Sequence, residues 1–119
     1  MKYKYFAIDF DGTIYNKEEK RIFPHAKRVI ERIRKDGGEV VIWTCRTDKD
    51  EIEAKRILHK SSILYDSFND TLPTVESKWG MNGRKIWADV YIDDSSIGFK
   101  GLSIDWLEIE RLIWGDTTV

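Results

Sequence analysis

Ala7-Ile8-Asp9-Phe10-Asp11-Gly12-Thr13 carries an apolar run into two carboxylates one residue apart, followed at once by glycine. This pattern reads as a buried strand that breaks into a loop, and open α/β sheets place their ligand chemistry at such strand ends. Two neighbouring acids beside a relaxed backbone suggest a divalent cation, because Mg²⁺ takes hard oxygen ligands and is commonly held by one or two carboxylates plus a substrate phosphate. The bland alternative is an Asp-Gly turn closing a hairpin, with both acids solvated.

The length of 119 residues fits one domain spanning residues 1–119. Twenty Lys and Arg against 21 Asp and Glu leave a net charge of -1, which gives no bulk electrostatic argument for a nucleic-acid or membrane partner. The single cysteine, Cys45, has no internal partner for a disulfide, and the N-terminal Met-Lys-Tyr-Lys-Tyr runs into a strand pattern rather than a secretory signal. A reduced, cytoplasmic protein is expected. No apolar segment approaches the roughly 20 residues of a membrane helix, so no membrane partner is expected.

Outward from the opening stretch, residues 2–9 are expected to form a first strand whose apolar run suits a central parallel position. Polar residues up to Phe23 then read as an exposed loop or hairpin. Pro24 is expected to open a helix with Ala26, Val29, Ile30 and Ile33 on one face, stopped by Gly37-Gly38. A second strand, Glu39 to Thr44, delivers Thr44-Cys45-Arg46-Thr47. Thr47 and Asp50 resemble a capping box for a peripheral helix with Ala54, Ile57 and Leu58 on its apolar stripe. Ile63 to Tyr65 is expected as a third strand, and residues 66–85 as a long loop of suspected function or with a hidden short helix. Ile86 to Ile92 is expected as a fourth strand ending in Asp93-Asp94, and Ile97 to Phe99 as a short fifth. A last helix starts near Asp105, with Glu108 as its box partner and Trp106, Ile109 and Ile113 on one face, and ends at Gly115. Strands alternating with helices imply a mainly parallel sheet.

The polar strand tips form an ordered set that resembles the haloacid dehalogenase superfamily of phosphotransferases. That family carries Asp-x-Asp-Gly-Thr after the first strand, Thr or Ser after the second, Lys before the fourth and an acidic pair after it. The matching positions here are Asp9 to Thr13, Thr44, Lys85 and Asp93-Asp94. The resemblance implies a three-layer Rossmann-like α/β sandwich with a mainly parallel central sheet of about five strands. It also implies a member without a cap domain, since neither usual insertion point has room for one.

By the same resemblance, the activity is Mg²⁺-dependent phosphomonoester hydrolysis through an aspartyl-phosphate on Asp9, with Asp11 as general acid and then base. Gly12, Thr44 and Lys85 would bind phosphate, with Lys78 a rival to Lys85. The metal set would be Asp9, the Asp11 backbone carbonyl, Asp93 as direct ligand, and Asp94 bonding Lys85 or a metal-bound water. Tyr15, Arg46 and Trp79 are candidates for substrate contact, Arg46 equally for a solvated charge, and Trp79 and Met81 for packing. Cys45 is read as a small buried side chain, and His25 and His59 as structural. The partner would be a phosphorylated substrate, a small molecule or an accessible macromolecular phosphate. Five tryptophans leave room for a homo-oligomer. Alternatives are a receiver-like phosphoacceptor module, disfavoured by the order of its Lys and acids, and a weakly active binding protein on the same fold.

Overall fold

The apolar run of the opening stretch becomes β1 (Tyr5–Asp9), and its residues Tyr5 to Ile8 are all buried, as a strand covered on both faces must be. The structure is a computed structural model and describes residues 1–70, 87–94 and 103–115. After β1 come a hairpin, β2 (Tyr15–Asn16) with β3 (Arg21–Ile22), and helix α1 (Ala26–Lys35). Then follow β4 (Glu39–Trp43), α2 (Asp48–Lys60), β5 (Ser67–Phe68), β6 (Val90–Ile92) and α3 (Trp106–Trp114). The main sheet runs β5-β4-β1-β6, and all three of its strand pairs are parallel. This is the expected Rossmann-like α/β architecture, and only the short hairpin occupies the first insertion point for a cap.

Alternation along β1 divides the interior in two. Phe6 and Ile8 share one core with Val40 and Ile42 of β4, Ile92 of β6, the expected Ala26, Val29, Ile30 and Ile33 of α1, and Trp106, Ile109 and Ile113 of α3. Tyr5 and Ala7 join Val41 and Ala88 in a second core, with Trp43 and Trp87 packed against it. Aspartates set the strand register at the amino end. Asp89 accepts from the backbone N–H of Lys4 and of Tyr5, each at 3.0 Å, which fixes β6 against β1. Asp66 accepts from Val40 N–H at 2.7 Å while held by Arg34, which fixes the entry to β4.

Several expectations shift. Pro24 lies in the turn before α1, which opens at Ala26 behind His25, a residue with φ 68° and no side-chain cap. Thr47 does cap α2 by position, but its hydroxyl bonds no helix N–H, and only its carbonyl accepts from Asp50 N–H at 3.1 Å. The third strand is Ser67–Phe68 rather than Ile63 to Tyr65, because Ile63 N–H still bonds Leu58 at the end of α2 and the chain reaches β4 only from Asp66 onward. At α3 the Asp105 carboxylate caps Leu107 and Glu108 N–H as expected, whereas the Glu108 side chain turns to Arg111. Lys78, Trp79, Met81, Lys85, Ile86 and the strand expected at Ile97 to Phe99 lie outside the described residues, with most of the 66–85 loop. Among the described residues no helix is long and apolar enough to cross a membrane.

Candidate active site

Chain order leaves β1 toward β4 and β5 on one side and returns to place β6 on the other, so β1 lies at the point where strand order reverses. Ligands of open α/β sheets bind outside the carboxyl ends of strands at this point. The register pairs Ile8 with Ile42 on one side and with Ile92 on the other, so Asp9 and Asp93 leave adjacent strands side by side. Asp9, Asp93 and Asp94 each offer a carboxylate oxygen, and the three oxygens lie within 4.8 Å of one another.

Like charges this close oppose ionisation. Burial, then Asp93 and Asp94, push Asp9 up from 3.8 to about 7 against weaker hydrogen bonding from Phe10 and Thr13. Burial and its bond to Asp93 also raise Asp94. Three converging oxygens whose charges repel form a donor set that suits a hard divalent cation, which would relieve the repulsion. The chemistry of these residues therefore fits Mg²⁺.

Gly12 makes the approach of Asp94 geometrically possible. Its φ is +80°, and a Cβ there would sit 2.2 Å from Asp94 Oδ2, so any side chain would evict the carboxylate. The fully buried Thr13 hydroxyl accepts from Asp94 N–H at 3.0 Å and turns its own proton toward Asp9 Oδ2 at 3.4 Å. Trp106 Nε1 donates to the Thr13 carbonyl at 2.7 Å, anchoring this turn to α3. One buried threonine thus joins the first acidic tip to the last.

The Asp11 carboxylate stands outside the cluster. It is held in a fork by Arg46, whose Nε and Nη2 donate to Oδ2 and Oδ1, each at 2.8 Å. The Asp11 carboxylate is therefore not among the converging oxygens of Asp9, Asp93 and Asp94. Arg46 was expected at substrate or in solvent; in the structure its guanidinium lies 5.1 Å over Phe10 and 5.9 Å over Tyr15, two rings that stack at 5.4 Å. The bond to Asp11 raises the Arg46 pKa further.

Thr44 is buried at the tip of β4. Its N–H donates to Asn69 Oδ1 at 2.8 Å and its hydroxyl oxygen accepts from Arg46 N–H at 3.2 Å. Because that oxygen is used as acceptor, the hydroxyl proton remains available to a ligand. Cys45 is exposed, a correction to the buried reading: Thr44 takes the inward position at this tip and turns its neighbour out. Sequence reasoning gave no role to Thr13 or Asn69. The Thr of the first motif was a visible signal, whereas Asn69 lay inside an apparent loop.

A parallel sheet with acidic strand tips at its switch point defines a Rossmann-like α/β protein with a cation-fitting site. A family profile of haloacid dehalogenase-like hydrolases matches residues 6–89, and the chain belongs to that family. A solved structure of a conserved protein from Bacteroides thetaiotaomicron is similar over 98% of this chain and 93% of that one, with a TM-score of 0.78 and 25% identity. No curated protein matches the chain.

Proposed function

We propose that the protein is a Mg²⁺-dependent phosphomonoesterase that works through an aspartyl-phosphate on Asp9. The observation that carries this reading is the convergence of Asp9, Asp93 and Asp94 at the switch point, with Asp11 two residues beyond the nucleophile and outside the cluster. Asp9, Asp93, Asp94 and the Asp11 carbonyl would hold the cation, which would supply the positive charge that lets an anionic nucleophile meet an anionic ester.

In the first half-reaction an Asp9 oxygen bonds to phosphorus, the bond from phosphorus to the leaving oxygen breaks, and a proton on the Asp11 carboxyl passes to that oxygen. In the second, Asp11 takes a proton from water as the water oxygen bonds to phosphorus and the bond to Asp9 breaks, releasing inorganic phosphate and restoring both residues. The Thr44 hydroxyl donates to a phosphoryl oxygen, and a lysine, Lys85 or its rival Lys78, stabilises the growing charge. The substrate is a phosphomonoester, and the absence of a cap suits small or macromolecular forms alike.

Hydrolysis of p-nitrophenyl phosphate and of a panel of phosphorylated metabolites and oligonucleotides, with and without Mg²⁺, tests the proposal. Activity should require Mg²⁺ and vanish in Asp9→Asn; retention of the wild-type rate in that variant refutes the mechanism.

A further inference from the structure

We propose that Arg46 is the positioning residue for the proton shuttle Asp11, and that it acts through Asp11 rather than by binding substrate; this rests on the phosphatase reading above. Asp11 and Arg46 are 35 residues apart, at the tips of β1 and β4, yet the guanidinium meets the carboxylate edge to edge through two bonds of 2.8 Å. Such a fork fixes the plane as well as the position of the carboxylate. Arg46 is itself held from several directions: Nη1 donates to the Asp50 carbonyl at 3.2 Å, its backbone N–H bonds Thr44, and the cation lies over Phe10 and Tyr15.

The exposures of the pair have the same asymmetry. The Arg46 side chain is 14% exposed and that of Asp11 33%, so the holder is inside and the held group faces out. A carboxylate has about four acceptor positions, and the fork uses two, which leaves two for a leaving oxygen or a water. The fork and the Asp50 carbonyl take three of the five guanidinium N–H groups, and turning the Arg46 fork itself onto a substrate anion would break two charge-assisted bonds and cost Asp11 its orientation. A general acid must lie within about 3 Å of the leaving oxygen, and a misplacement of about 1 Å can cost a hundredfold in rate.

The test uses the leaving group. Formation of the aspartyl-phosphate from an alkyl ester such as glycerol 3-phosphate needs Asp11 to protonate a poor leaving group, whereas p-nitrophenolate departs unaided. In full-length Arg46→Lys and Arg46→Gln, kcat/KM should fall ten- to a hundredfold for glycerol 3-phosphate and less than about threefold for p-nitrophenyl phosphate. The competitive inhibition constant of inorganic phosphate should stay within about threefold of wild type. Lysine keeps the charge but has no fork, so it should not rescue.

In an Asp11→Asn background the further loss on adding Arg46→Lys should disappear. Equal losses on both esters, weaker phosphate inhibition, or a loss that persists beside Asp11→Asn would overturn the proposal and make Arg46 a substrate contact. Wild-type rates on both esters in Arg46→Lys would overturn it as well. If the wild-type protein hydrolyses neither ester with Mg²⁺, or Asp9→Asn keeps activity, the phosphatase reading itself fails.

Discussion

Replacing Glu110 with Gln should destabilise the domain without touching the site, and the structure gives the size of the effect. Glu110 on α3 is 2% exposed, and its carboxylate accepts from Arg28 Nη1 and Nη2 at 2.8 and 3.0 Å and from Arg32 Nη1 at 2.9 Å, both on α1. Arg32 in turn lies 4.0 Å over the Trp114 ring, whose Nε1 donates to Asp36 at 2.7 Å. The network ties both ends of α1 to the helix whose Trp106 holds the Thr13 turn. The bond from Arg28, supported by Arg32, lowers Glu110 from 4.5 to about 2.

At about 1.4 kcal/mol per pKa unit this displacement amounts to roughly 3 kcal/mol. Arg28 is 50% exposed, so water screens part of its attraction and about 2 kcal/mol is expected for Glu110→Gln at pH 7. For a domain of this size that lowers the melting temperature by about 8 °C. The folded pKa is depressed, so the stabilisation is present above pH 4.5 and is lost as pH falls toward 2. Thermal unfolding followed by circular dichroism from pH 7 to pH 2.5 should show the two proteins converging on acidification. Equal melting temperatures at pH 7, or a gap that does not narrow below pH 4, would refute the reasoning.

Gly12→Ala should lower activity more than tenfold and weaken Mg²⁺ binding, because its Cβ would collide with Asp94 Oδ2 and the φ of +80° costs an L-residue about 1 kcal/mol or more; a Mg²⁺ titration of activity reads this out, and an unchanged Mg²⁺ dependence would contradict it. Asp9 has its pKa raised to about 7, so metal-free protein should lose stability as pH rises from about 4 to 7 and Mg²⁺ should reverse the loss. Calorimetric Mg²⁺ titrations in two buffers of different ionisation heat should show release of close to one proton at pH 6 and almost none at pH 8.5. Thr13→Val keeps the shape of the buried side chain but removes the hydroxyl that joins Asp9 to Asp94 N–H; kcat for p-nitrophenyl phosphate should fall tenfold or more, while Thr13→Ser should recover most of the rate.

The central strand and its first motif were legible because burial on both faces demands an unbroken apolar run, and two carboxylates followed by glycine mark where that run ends. The α1 face was equally plain, since Ala26, Val29, Ile30 and Ile33 repeat at the helical period and all four are buried. The third strand was misplaced because apolar character in Ile63 to Tyr65 belongs to the helix exit and the core, whereas Ser67 and Phe68 are chosen by backbone pairing with Val41 and Ile42. Capping at Thr47 and the burial of Cys45 failed for a related reason: side-chain identity permits those roles, and local geometry at the tip of β4 assigns others.

By itself the sequence determined which residue types stand at the ends of which strands, because hydrophobic period and strand polarity are local properties of the chain. Only the tertiary structure decided their partnerships. Parallel register set Asp9 beside Asp93, the missing Cβ of Gly12 admitted Asp94, and the adjacency of β1 and β4 brought Arg46 onto Asp11 across 35 residues. The two acids of the opening stretch look alike in the chain, and they differ in the fold because one faces like charges and the other a guanidinium.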